Sequence, residues 1–243
     1  MDEKIRLLGI SASPRKGGNS TFLLEQALEA AKSFEHAKVE VEKIEFAEKK
    51  VAPCLACYGC IDKKGQCVIQ DDFQAIRSAW LRSDAVLYSV PVFAMSIPAQ
   101  LKCFFDRLCN TLVFDEKVSS KKLKVVGTIA QGMHFAAGQE GVIREITNIS
   151  VLLGCIPVAG SGYNAYDGVR GWTFGKLSRS TYKKRFAEGD VATKELVEEV
   201  KLLVRDLLYI ALIVRSGARV CQNILREVPD YASILHRIEE GQE

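Results

Sequence analysis

Ile5-Arg6-Leu7-Leu8-Gly9-Ile10-Ser11-Ala12-Ser13-Pro14-Arg15-Lys16-Gly17-Gly18-Asn19-Ser20-Thr21 joins a short apolar run to a turn-rich stretch and then to a helical pattern that continues to Phe34. The apolar run reads as a buried strand, the serines and glycines as a loop, and the rest as a helix. Backbone amides, hydroxyls and a helix N-terminus at one strand-to-helix turn favour a bound anion. No Gly-Lys-Ser/Thr follows at Walker spacing and no Gly-x-Gly-x-x-Gly is present, so a mononucleotide phosphate is the expected anion. A tight turn serving only geometry and capping is the alternative. The loop hydroxyls together with Arg15 weigh against it.

The same alternation recurs outward from this unit. Val39 and Val41 alternate with Glu40 and Glu42 as in a half-exposed strand, and Asp71-Asp72 stand where they can cap a helix running through Trp80. Ala85 to Val90 reads as a buried strand, and Ser96-Ile97-Pro98 offers a capping hydroxyl and a proline ahead of a helix carrying Leu101, Phe104, Phe105 and Leu108. Val125 to Ile129 is a further strand, Glu140 to Leu153 a helix that Gly154 can end, and Ile156 to Ala159 a last strand weakened by Pro157. Strands alternating with helices predict a doubly wound parallel α/β sheet. Gly160 to Gly175 reads as loop, Lys117 to Lys122 as a surface loop, and Asp190 to Leu225 as helix with Leu196, Val200, Leu203 and Leu207 on one face.

At 243 residues, 48% hydrophobic and 26% charged, the chain can bury a full core, which excludes a disordered protein. One domain with an appendage is expected, divided at residues 1–160 and 161–243. The formal charge of +3 is spread along the chain and gives no nucleic-acid footprint. Leu202 to Val214 is interrupted by Arg205 and Asp206, short of the roughly 20 apolar residues of a membrane span. The start of the chain has no signal-peptide pattern, so a cytoplasmic location, with no membrane partner, is expected.

Two further segments carry chemistry. Pro91-Val92-Phe93-Ala94-Met95-Ser96 follows the central strand, where open α/β sheets bind ligands, and it offers an apolar surface with backbone donors to a flat ring. Core packing of Phe93 and Met95 is the alternative. Cys54, Cys57, Cys60 and Cys67 crowd four of the eight cysteines into one short segment with ferredoxin-like spacing. A four-thiolate zinc site and a thiol–disulfide pair remain as alternatives, since in a reducing compartment structural disulfides are not expected. Cys103, Cys109, Cys155 and Cys221 read as small hydrophobes in apolar contexts, and the scattered His36, His134 and His236 support no hydrolytic triad.

Gly9 to Ser20, the four-cysteine run with Asp71-Asp72 behind it, and Ser89-Val90-Pro91-Val92-Phe93 continuing to Phe105-Asp106-Arg107 together resemble the NAD(P)H-dependent FMN reductase family, and within it the iron–sulfur flavoprotein branch, over about residues 5 to 160. The resemblance implies a flavodoxin-like five-stranded parallel sheet in the order 2-1-3-4-5, with the cysteine loop at 54–67 inserted and a helical C-terminal extension that packs on the domain or on a partner subunit. It implies that Ser11, Ser13, Arg15, Asn19, Ser20 and Thr21 hold the FMN phosphate, with Pro14 in the same loop. Pro91, Val92, Phe93, Ala94, Met95 and Ser96 would border the ring, and Ala130, Gln131 and Gly132 would complete the pocket. Cys54, Cys57, Cys60 and Cys67 would ligate a [4Fe-4S] cluster that exchanges electrons with FMN in a homo-oligomer, dimer or tetramer, with NAD(P)H or a ferredoxin as redox partner. Where relatives often carry a glycine pair the third loop has Ala130-Gln131-Gly132, and residues 160 to 243 lie outside the resemblance. Two rival readings stand beside this one: an NAD(P)H-dependent FMN or quinone reductase whose cysteines bind zinc or do thiol chemistry, and a non-enzymatic flavodoxin-like binding module.

Overall fold

The computed structural model describes residues 3–120, 122–160, 166–175, 178 and 180–239. In chain order its elements are β1 (Lys4–Ser11), α1 (Asn19–Lys32), β2 (Lys38–Glu45), α2 (Gly59–Asp62), α3 (Phe73–Arg82), β3 (Ala85–Pro91), α4 (Ala99–Val113), β4 (Val125–Gly132), α5 (Gln139–Leu152), β5 (Ile156–Pro157), β6 (Val169–Trp172), α6 (Thr181–Ala187), α7 (Val191–Val220), α8 (Gln222–Arg226) and α9 (Ala232–Glu239). The strands run parallel in the order β2-β1-β3-β4-β5, as expected.

Alternation along each central strand feeds two cores. Val86, Tyr88 and Val90 of β3 face a layer holding Trp80, Phe104, Phe105 and Ile146 of α3, α4 and α5. Ala85 and Leu87 face the opposite layer, built from α1 through Leu24 and Leu28 and from α7 through Leu203 and Leu207. Two glycines let those helices come close. In the register Gly9↔Leu87↔Gly127, a methyl on Gly9 would lie 2.9 Å from Leu28, and one on Gly127 would lie 2.9 Å from Leu207.

Several expectations change on the outer edge. The sheet has six strands instead of five. Pro157 has no amide proton and stops β5 after two residues, so β5 pairs only with Val125 and Val126. The rest of the β4 edge is taken by β6, inside the stretch read as loop, with Ile129↔Val169 through Gly132↔Trp172. Residues 161–165 of that stretch lie outside the described residues.

Lys122, expected in a surface loop, is 5% exposed and donates to the carbonyls of Ser119 and Ser120; Lys121 lies outside the described residues. The 30-residue α7 lies against the sheet. Asp190 caps it by accepting from the Thr193 amide at 2.9 Å. Among the described residues no helix is long and apolar enough to cross a membrane.

Candidate functional site

The carboxyl ends of β1, β3 and β4 bring the three sequence segments to one end of the sheet. In the first loop Ser11, Ser13, Asn19, Ser20 and Thr21 are buried, while Arg15, Lys16 and Gly17 are exposed. No side chain caps the first turn of α1, so its amides point out of the helix end without a covering group from the helix itself. The loop is held from below: the Ala12 amide donates to the Ser89 carbonyl at 2.9 Å, and Ser89 Oγ donates to the Ser20 carbonyl at 2.8 Å. Glu45 reaches in from the end of β2, accepting from Thr21 Oγ1 at 3.2 Å and from the Gly17 amide at 3.5 Å. Burial pushes the Glu45 carboxyl up, but Lys43 and these two donors outweigh it and hold it below the usual carboxylate range. An uncapped helix end, buried Ser13 and Ser20 and an exposed Arg15 fit a phosphate monoester, with the Glu45 carboxylate standing on the Gly17 and Thr21 side of the loop.

Asn19 behaves differently from the expectation. Its Nδ2 donates to the Ser178 carbonyl at 3.1 Å and its Oδ1 accepts from the Tyr182 amide at 3.2 Å, so the side chain ties the loop to Ser178 and to the first turn of α6.

The second loop leaves β3 through buried Pro91 and half-buried Val92, whose amide donates to the Gln131 carbonyl at 2.8 Å. Phe93 and Ser96 pair through reciprocal backbone hydrogen bonds of 3.0 and 2.9 Å, closing a two-residue turn over Ala94 and Met95. Both central residues are left-handed, with φ of 47° and 65°, the geometry of a type I′ turn that normally selects asparagine and glycine. Non-glycine residues held there store strain, a pattern concentrated at functional sites. The turn projects Phe93, Ala94 and Met95 as exposed side chains above the sheet. Ser96 does not cap α4, as had been expected. Its hydroxyl donates to Glu145 at 2.7 Å on α5, and α4 starts after Pro98 without a side-chain cap.

The third loop begins with buried Ala130, half-buried Gln131 and buried Gly132. Gln131 Nε2 lies 3.4 Å from Ser20 Oγ, a weak link between the third loop and the first. A methyl on Gly132 would stand 2.9 Å from Gln139 Nε2, which leaves glycine there. Gln139, which no sequence signal singled out, is 3% exposed. It clamps the loop by donating to the carbonyls of His134 at 2.8 Å and Gly171 at 3.1 Å and accepting from the Ala137 amide.

The four cysteines line one cavity of about 80 Å³ beside α4, together with Arg107 and Asn110. All are free thiols. Burial pushes the Cys60 thiol up, and the neighbouring Cys67, Cys54 and Cys57 add to it. Ala56, Tyr58 and Lys64 are left-handed, so the segment winds tightly enough to bring the thiols to one side. Among the described residues no group of three or more histidine, cysteine or acidic side chains stands in metal-holding arrangement.

One ion pair staples both ends of the segment. Arg107, 1% exposed, donates through Nη1 to Asp71 at 2.6 Å and to the Ala52 carbonyl at 3.3 Å, and through Nη2 to the Ile69 carbonyl at 2.9 Å. Asp71 returns a bond from the Ala52 amide at 2.8 Å and caps α3 through the Phe73 amide at 3.0 Å. Asp72, expected to share that cap, instead accepts from the Lys50 amide. Outside the segment, Cys155 is buried and Cys103 and Cys109 are half-buried. Cys221, expected in an apolar context, is exposed.

An open, doubly wound sheet with an anion loop, a strained turn and a third loop at its carboxyl end is the frame of a flavodoxin-like, mononucleotide-binding protein. Residues 5–166 match the family described as NADPH-dependent FMN reductase, and the chain belongs to that family. It is an FMN-dependent oxidoreductase. Among curated relatives it is 34% identical over 168 residues, 69% of this chain and 83% of the other, to an iron–sulfur flavoprotein of Methanosarcina thermophila. It is 32% identical over 193 residues, 75% of this chain and 95% of the other, to an iron–sulfur flavoprotein of Archaeoglobus fulgidus. Among solved structures it is similar to RosB, with a TM-score of 0.63 at 15% identity over 92% of this chain and 87% of the other. It is also similar to the NADH:FMN oxidoreductase EMOB, with a TM-score of 0.53 at 14% identity over 82% and 88%. At these identities the two structures speak for the fold alone.

Proposed function

We propose that this chain is an iron–sulfur flavoprotein in which electrons pass between FMN and a [4Fe-4S] cluster held by Cys54, Cys57, Cys60 and Cys67, with NAD(P)H or a ferredoxin as the outside partner. The observation that carries it is the set of four free thiols lining one cavity on a segment stapled by Asp71 and Arg107. Soft thiolates at this spacing suit iron. When bound, the two cofactors supply the redox chemistry, so no side chain need act as acid or base.

The residues of the chain bind and orient. Ser13, Ser20, Thr21, Arg15 and the first amides of α1 take the phosphate, while Asn19 and Ser11 hold the loop in shape. Ser11 does so through its 2.9 Å contact with Thr21 Oγ1. The Phe93–Ser96 turn and Gln131 border the ring. Leu55, Tyr58 and Ile61 are 68%, 63% and 48% exposed on the cysteine segment, an apolar surface that favours a homo-oligomer covering it.

Anaerobic purification followed by quantitation of FMN, iron, acid-labile sulfide and zinc tests the reading. About four iron and four sulfide per chain are expected, lost in Cys57→Ala with FMN retained. FMN without iron in the wild type overturns the cluster. FMN reduced by NAD(P)H with no iron present would instead fit an NAD(P)H-dependent FMN or quinone reductase without a cluster.

Arg15→Ala separates phosphate recognition from ring recognition. FMN affinity should fall about tenfold, the worth of one charge-assisted hydrogen bond, with riboflavin affinity unchanged.

A further inference from the structure

Glu45 ends β2 directly beside the loop between β1 and α1, and nothing in the function proposed above uses it. Its side chain is 20% exposed. Oε2 accepts from Thr21 Oγ1 at 3.2 Å and from the Gly17 amide at 3.5 Å, and Oε1 accepts from Lys43 at 2.9 Å. Lys43 also reaches Glu25, at 2.8 Å. One ammonium group thus faces two carboxylates, which leaves net negative charge on this side of the loop. Lys16 does not relieve it, being paired with Glu48 at 2.6 Å.

The direction of each hydrogen bond follows from the groups involved. A carboxylate only accepts, so the 3.2 Å contact commits the one hydroxyl proton of Thr21 to Glu45. The 2.9 Å contact between Ser11 and Thr21 then uses the Ser11 proton, because Thr21 has no other to give. Both hydroxyls therefore turn only lone pairs toward any further neighbour.

The oxygens of a phosphate dianion also accept, so phosphate and Glu45 call on the same donors. Gly17 is exposed and its amide is within reach of a ligand. Thr21 is 2% exposed, so a phosphate gains its proton in exchange for the carboxylate that now holds it. Bonds from ionised acceptors are the strong ones, and that exchange sets one against another.

We infer, on the reading of this loop as the FMN phosphate site, that Glu45 is an internal competitor for it: the flavin phosphate takes the Gly17 amide and the Thr21 proton from the Glu45 carboxylate. Glu45 thereby weakens the hold on phosphorylated flavin and quickens its release, which makes FMN an exchangeable cofactor of this chain.

The test follows FMN release from full-length holoprotein, by recovery of flavin fluorescence on dilution, and titrates the same protein freed of flavin with FMN and with riboflavin. Glu45→Gln and Glu45→Ala should each tighten FMN about tenfold and slow its release to match, the effect of one charge-assisted hydrogen bond, with riboflavin unchanged. Thr21→Val keeps the side-chain shape and removes the contested proton. In that background the gain from Glu45→Gln should shrink to about threefold, the part due to charge alone, and fall further as salt is added. Melting curves without flavin check that each variant is folded. Weaker FMN binding in both Glu45 variants makes Glu45 a support of the loop and overturns the inference. An unchanged affinity, or a gain of equal size with and without the Thr21 hydroxyl, also overturns it. Riboflavin held as tightly as FMN by the wild type overturns the phosphate reading of the loop, and the competitor with it.

Discussion

Asp84 stands at the head of β3 with 3% of its side chain exposed, and it collects charges that are far apart in the chain. Its Oδ2 accepts from the Arg6 amide at 3.0 Å, and its Oδ1 accepts from Arg215 at 2.7 Å and Arg237 at 3.3 Å. Burial pulls Arg237 below the usual guanidinium range, and Asp84 opposes that. Asp84→Asn leaves buried Arg237 without a carboxylate partner and Arg215 with Glu3 alone at 3.6 Å, so urea unfolding should show a loss of about 3–5 kcal/mol. Asp71 makes a prediction about pH. Burial raises its carboxyl, but Arg107 and the amides of Ala52 and Phe73 prevail and hold it below the ordinary value of about 3.9. Its contribution is therefore complete above that ordinary value and is lost as pH falls through the lower folded value. Asp71→Asn should unfold at lower urea than the wild type at pH 7, and the gap should close on acidification below about pH 4. A gap constant down to the acid limb would remove Asp71 as the charged staple. Individual residues were legible in the sequence only where local spacing carries the meaning. The cysteines and loop hydroxyls announce themselves, whereas the partners of Asp84 lie 131 and 153 residues away and leave no local trace. Asn19 was placed in the right loop, but its side chain answers to Ser178 and Tyr182.

Elements were legible where periodicity was long and uninterrupted. The central strands β1, β3 and β4 and the helices α1, α3, α4, α5 and α7 follow from apolar spacing, because each buries a continuous face, while the edge strand β2 follows from its alternation. The strand β6 did not, since four residues with a glycine among them gain strand character only from pairing with β4. The cap of α4 was misread because a serine hydroxyl near a helix start can be claimed by another helix, here through Glu145. Close packing of α7 on the sheet gives a direct test. In Gly127→Ala the new methyl meets Leu207 at 2.9 Å and Leu87 at 3.1 Å, and overpacking of this kind should cost about 1–3 kcal/mol in a thermal or urea melt. A fragment ending at residue 160 lacks Leu203, Leu207 and the rest of the α7 face, leaving Leu87 and Ile129 without their cover. It should bind a hydrophobic dye and lack a cooperative melt.

At the scale of the whole molecule, the two layers around the sheet account for the buried core, while the exposed apolar residues concentrate in a few places. Leu55, Tyr58 and Ile61 form one such place on the cysteine segment. If a second copy covers them, light scattering on the purified protein should give a multiple of 26.9 kDa, and Leu55→Asp with Tyr58→Asp should return it to that mass with FMN retained. A monomeric wild type would leave that surface for another partner. The division of the fifth sheet position between β5 and β6 has its own consequence. The strands that carry the anion loop and the strained turn, β1 and β3, pair with each other and with β2 and β4, and β6 adds only to the outer side of β4. The fifth position of the sheet thus behaves as a panel hung on β4. Descendants of this chain can redraw it by substitution and insertion while the strands under the anion loop and the strained turn keep their register.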